Sequence, residues 1–121
     1  MSPRVTSISN VKSAEVKFPD GATRTTWSGG VGDDGHYLLE GTETWRFPNG
    51  QKQYECAYHW GRRIGTETLW RPDGSIAWQR THAENGDLVW LQFWPNGQKK
   101  SEWSWPASFD ATLSGVSRRE V

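Results

Sequence analysis

A chain of 121 residues suits one small domain with a modest core and leaves no room for a second independent one. Fourteen Lys and Arg balance fourteen Asp and Glu, so no global basic field draws the chain to anionic lipid, and the balance argues against nucleic acid as a partner. The single cysteine, Cys56, excludes an internal disulfide and a site built from several thiolates, and it points to a reducing compartment.

Nine Trp in a chain poor in Leu, Ile and Val make aromatic side chains the main apolar material, and flat rings suit a pleated surface better than a helical seam. Residues 1–11 read as an N-terminal extension with no apolar run long enough for a signal-peptide core. Nowhere do 18 consecutive apolar residues offer a membrane span, and the expectation is a cytoplasmic protein.

From residue 12 to 105 one unit recurs. Its marker is a turn, written FPDG at 18–21, FPNG at 47–50, RPDG at 71–74 and WPNG at 94–97. Pro presets φ at the first central position, Asn or Asp tolerates the second, and Gly takes the left-handed conformation that closes a bulged hairpin loop. Apolar residues alternate with polar ones on the flanks, as half-buried strands require. The first hairpin has Val16 and Phe18 before its tip and Trp27 after it. The connection 28–41, SGGVGDDGHYLLEG, is the candidate mobile loop. Its Asp33, Asp34 and His36 offer ligand atoms, but their spacing matches neither an EF-hand nor an HExxH site, so no metal is expected.

The second hairpin carries Trp45 and Phe47, then Tyr54, Cys56, Tyr58 and Trp60. The third carries Leu69 and Arg71, then Ile76, Trp78, Arg80 and His82; the fourth carries Trp90 and Trp94, then Trp103 and Trp105. The opposite parity is polar at Thr44, Arg46, Gln53, Glu55 and His59, with Trp70, Leu91 and Phe93 as exceptions. Pro106 ends the last strand, and 106–121 is a tail or a cap of one short helical turn. The fold expected is all-β: an elongated, twisted antiparallel meander of four hairpins and about eight strands.

GTETWRFPNGQKQYECAYHWGRRIGTETLWRPDG, residues 41–74, resembles MORN repeats, and more closely the MORN-like variant of the YwqK-family antitoxin group. The resemblance covers about 12–105, with Lys12 and Leu88 where Gly41 and Gly65 stand, so the outer units read as atypical caps. It implies a curved β-meander that binds macromolecules without catalysis, with a toxin or effector enzyme as the partner in the antitoxin-like group.

The residues lead to a related reading without the family. The candidate protein-binding surface is Trp45, Phe47, Tyr54, Tyr58, Arg71, Trp78, Arg80, Trp90, Trp94, Trp103 and Trp105. A single sheet has no second layer to hide such a stripe, and Trp, Tyr and Arg dominate binding hot spots. Homodimerisation would cover the same face. The alternatives are a structural or membrane-associated scaffold, and a glycan or single-stranded nucleic acid stacked on Trp platforms. No enzyme chemistry or cofactor is expected. Cys56 and His59 lie three apart on one strand and so face opposite ways, while Cys56 and His82 sit on strands separated by a third, roughly 9 to 10 Å apart.

Overall fold

Six loops of the chain close with one hydrogen-bond pattern. In each five-residue segment the first N–H donates to the fifth carbonyl and the N–H of the fourth residue, a Gly, donates to the first carbonyl, at 18–22, 32–36, 47–51, 71–75, 83–87 and 94–98. The third residue, Asp20, Asp34, Asn49, Asp73, Asn85 or Asn96, accepts the fifth N–H through its side chain. The six glycines have φ from 86° to 94°, a region that an L side chain resists. Four of these loops are the Pro-containing tips; GDDGH at 32–36 and AENGD at 83–87 reach the same geometry without Pro. The Asx-Gly pair is therefore the common determinant, and Pro only stiffens the approach.

The computed structural model describes residues 6–107 and the backbone of 117–120. Ten strands form: β1 (Ile8–Lys17), β2 (Thr23–Gly32), β3 (Tyr37–Leu39), β4 (Gly41–Arg46), β5 (Lys52–His59), β6 (Arg62–Trp70), β7 (Ile76–His82), β8 (Leu88–Phe93), β9 (Lys99–Trp105) and β10 (Ser117–Glu120). They make one open antiparallel sheet in the order β1-β2-β4-β5-β6-β7-β8-β9-β10, with β3 beside β2. The described residues contain no helix. Because each strand runs against the next, the Pro tips fall at one end of the sheet and loops 32–36, 59–62 and 83–87 at the other.

Two additions extend the eight expected strands. The connection expected to be a mobile loop is instead the end of β2, a tip and β3, and its glycines serve close approach. A Cβ at Gly29 would lie 2.6 Å from the Leu38 carbonyl oxygen, and one at Gly30 would lie 2.5 Å from that of Ser9. The second addition is β10, which pairs with β9 through Ser117 with Ser104 and Arg118 with Trp103. The helical turn considered for the tail falls largely on 108–116, outside the described residues. At the other end β1 begins at Ile8, inside the stretch read as an extension.

Trp60 also departs from the alternation in which it follows Tyr54, Cys56 and Tyr58. It and Gly61 have φ of 50° and 80°, which makes a two-residue type I′ turn closed by His59 and Arg62. The Trp60 N–H donates to Glu40 Oε2 at 2.8 Å and its ring stacks on His59 at 4.9 Å, contacts that hold a bulky residue in a conformation it would otherwise avoid.

Among the described residues the only buried hydrophobic side chains are Cys56 and Tyr58. Thr25, Thr44, Glu67, Thr68 and Ser101 are buried as well, under neighbours on their own face of the sheet. No core lies between two layers of described residues, so the loops that set strand register carry much of the fold's specification. Gly74→Ala is expected to lower stability by about 1–2 kcal/mol, because open space surrounds the site and only its φ of 89° resists a side chain. Pro72→Ala is expected to cost less than about 1 kcal/mol. Urea denaturation of the two variants checks this; equal losses would return the leading role to Pro.

Candidate functional site

Cross-strand partners in an antiparallel sheet project from the same face, so the pairing register states which side chains meet. One row runs Thr25, Trp45, Tyr54, Leu69, Trp78, Gln92 and Ser101. A second joins Glu67, Arg80, Trp90 and Trp103; a third joins Gly65, His82, Leu88 and Trp105. Tyr58 pairs with Arg63 on the same face. Eight of the expected surface residues therefore stand together: Trp45, Tyr54, Tyr58, Trp78, Arg80, Trp90, Trp103 and Trp105. The opposite face carries Thr44, Glu55, Thr68, Gln79 and Leu91.

Phe47, Arg71 and Trp94 are placed elsewhere, as the first residues of three Pro tips. Arg71 is occupied there. Its Nη1 donates to the Ile76 carbonyl at 3.0 Å and its Nη2 to the Phe93 carbonyl at 2.6 Å, tying one tip to the strand two places along. Trp94 is 46 % exposed with Lys100 Nζ 4.8 Å from its ring centroid.

The rings on the face touch in series. Tyr54 meets Trp78 edge-on at 6.4 Å, Trp78 meets Trp90 edge-on at 6.4 Å, and Trp90 meets Trp105 at 6.4 Å, with Trp103 and Trp105 stacked at 6.1 Å and 11°. Edge-to-face and offset stacking are the arrangements that the ring quadrupole favours. Arg80 enters the series with its Cζ 4.5 Å from the Trp78 centroid and 5.0 Å from that of Trp90. Arg63 lies over Tyr58 at 5.8 Å.

Beneath this ladder sits Glu67, 3 % exposed, a residue the alternation argument passed over. Its Oε2 accepts from the Tyr54 hydroxyl at 2.5 Å and its Oε1 faces His82 Nε2 at 3.0 Å. Arg63 Nε is 3.5 Å away and Arg80 Nε 4.0 Å away. A signal was present in the repeat, since Glu43 and Glu67 occupy the same place in the two GTET copies and Glu43 takes the Tyr58 hydroxyl at 3.4 Å. Burial opposes ionisation of Glu67, but the Tyr54 and His82 bonds, reinforced by Arg80 and Arg63, hold its carboxyl below the ordinary range. The same burial, followed by the bond to Glu67, pushes the Tyr54 hydroxyl well above its usual value.

Cys56 is fully buried and its Sγ donates to the Ala57 carbonyl at 3.4 Å. Burial, then the Glu67 charge, pushes its thiol up to about 11. At the 32–36 loop the carboxylates brace the backbone: Asp33 accepts from the N–H and hydroxyl of Thr6, and Asp34 from the N–H of His36. Among the described residues no group of His, Cys, Asp and Glu is arranged to hold a metal ion, and no helix is long and apolar enough to cross a membrane. Two recesses flank the ladder. One, of about 350 Å³, is walled by Val16, Thr25, Trp27, Leu39, Glu43 and Trp45; the other, of about 610 Å³, is lined by His59, Arg62, Arg63, His82 and Glu84 among others.

These features define the class: an open single-sheet all-β protein with an aromatic face organised around a buried carboxylate. No family model, curated protein or solved structure matches the chain.

The site makes two outcomes measurable. Because the Glu67 carboxyl is held below its ordinary value of 4.5, its contribution is complete above that pH and lost as pH falls through the folded-state value. Glu67→Gln is expected to cost about 1–3 kcal/mol near neutrality and to flatten the acid limb of stability against pH; an unchanged acid limb would remove Glu67 from that role. Cys56 should react with an aromatic disulfide reagent at least about tenfold more slowly in the folded chain than in urea, because it is fully buried and its thiol is pushed up to about 11. Comparable rates in the two states would contradict the burial.

Proposed function

We propose that this chain is a non-catalytic protein-binding module of the antitoxin or immunity type, which occludes a toxin or effector enzyme by laying its aromatic and arginine-bearing face against it. The observation that carries the reading is the unbroken ring series from Tyr54 to Trp105, over which no second layer of described residues lies. A patch of this kind marks an interaction surface, and its Trp, Tyr and Arg composition is that of a binding hot spot. The resemblance of residues 41–74 to MORN-like antitoxin repeats supports a protein as the partner. In the absence of that partner, pairing of two copies through the same face would cover the rings.

A second reading, a sugar ring on a Trp platform, draws support from the smaller recess alone. There Trp27 and Trp45 supply flat apolar walls, and Thr25 and Glu43 supply hydrogen-bonding groups.

Titration calorimetry with the protein encoded beside this one provides the test. One-to-one binding is expected, weakened at least about tenfold by Trp78→Ala or Trp105→Ala and changed less than about twofold by Gln79→Ala or Leu91→Ala on the opposite face. Equal sensitivity of the two faces, or no binding, would end this reading.

A further inference from the structure

The aromatic face holds a cation, Arg80, that the fold has positioned without giving its Nε a hydrogen-bond acceptor among the described residues. Arg80 lies against the rings of Trp78 and Trp90, its Cζ 4.5 and 5.0 Å from their centroids, so its guanidinium is already immobilised. Its Nε is buried with no acceptor among the described residues, and so is the neighbouring Trp90 Nε1. Its ion-pair partner, Glu67, stands 4.0 Å from Arg80 Nε, beyond hydrogen-bond distance, and its two oxygens are engaged by His82 and Tyr54. The side chain is nonetheless 35 % exposed. Of the guanidinium nitrogens only Nε is both buried and unpartnered among the described residues, which leaves the outer two to an incoming acceptor.

We infer that Arg80 is the receptor for one carboxylate, an Asp or Glu side chain on the surface of the protein that this face covers. The inference rests on the protein-binding reading for its partner, and on the geometry of Arg80 for its chemistry. An arginine fixed between indoles loses little further freedom on binding, and its planar fork matches a carboxylate with two parallel hydrogen bonds. The anions that an unmodified protein surface presents are the carboxylates of Asp and Glu, so a carboxylate is the group that meets Arg80 there.

The test titrates the full chain with three capped tripeptides, Ala-Glu-Ala, Ala-Gln-Ala and Ala-phosphoSer-Ala, while following the indole N–H resonances of Trp78 and Trp90. The Glu peptide is expected to shift both signals saturably in the millimolar range. The Gln peptide, and the Glu peptide on Arg80→Lys, are each expected to bind at least about tenfold more weakly. The inference is overturned by no saturable shift with the Glu peptide, by equal binding of the Gln peptide, by tighter binding of the phosphoserine peptide, or by an indifferent Arg80→Lys. The Gln arm needs no variant to fold.

Failure of the two readings is separable. If the neighbouring protein binds through Trp78 while Arg80→Lys weakens it less than about twofold, the carboxylate receptor falls and the docking face stands. If the Glu peptide binds through Arg80 and no protein partner does, the receptor stands and the docking reading falls.

Discussion

Everything on this sheet depends on where its loops let the chain reverse. A side chain in a strand changes face with each residue, so a register slip of one would send the Trp rows to the Thr-bearing side. The six Asx-Gly loops prevent that in a fixed way. Each combines a backbone pair closing the loop, an Asx side chain accepting the fifth N–H, and a Gly at φ near 90° that admits one geometry. The type I′ turn at Trp60 and Gly61 does the same work with two residues.

Among the described residues this open sheet has no interior between two layers. Among the described residues, burial comes from neighbours on the same face, which is why polar side chains such as Thr25, Thr68, Ser101 and Glu67 are as enclosed as Cys56 and Tyr58. Stabilisation is distributed over cross-strand pairs, ring contacts and side-chain hydrogen bonds, each worth a fraction of a kcal/mol to about 1 kcal/mol. On the protein-binding reading, function and stability would draw on the same residues. The rings that the proposed docking would use are the rings that already bridge β5 to β9 in series.

The buried carboxylate gives the face its polarity. Glu67 orients Tyr54 and His82 by hydrogen bonds and draws Arg63 and Arg80 inward, while the indoles limit how far Arg80 can follow. A cation caught between aromatic attraction and an acid already engaged by two other groups is available to an outside anion. A surface made only of rings would be adhesive without being selective; this arrangement adds a charge at a defined place.

Much of the architecture was legible from the chain. Alternation around the four Pro tips identified eight strands and put Trp45, Tyr54, Tyr58, Trp78, Arg80, Trp90, Trp103 and Trp105 on one face, because a period of two and a turn of fixed type are local properties. The reading erred where local and distant requirements diverge. Gly29 and Gly30 resemble loop residues until the strands beside them are seen to exclude a Cβ, and Trp60 continues the alternation until Glu40 and His59 draw it into a turn. Glu67 could be placed on the aromatic face by parity, but not as its electrostatic centre. That role needs Tyr54 from one neighbouring strand and His82 and Arg80 from the other. Residues alone thus determined the Pro tips, eight of the strands and most of the aromatic face; only the assembled sheet decided which acid lies under the rings and which arginine lies between the indoles, because charge pairing depends on distances between strands that no single strand contains.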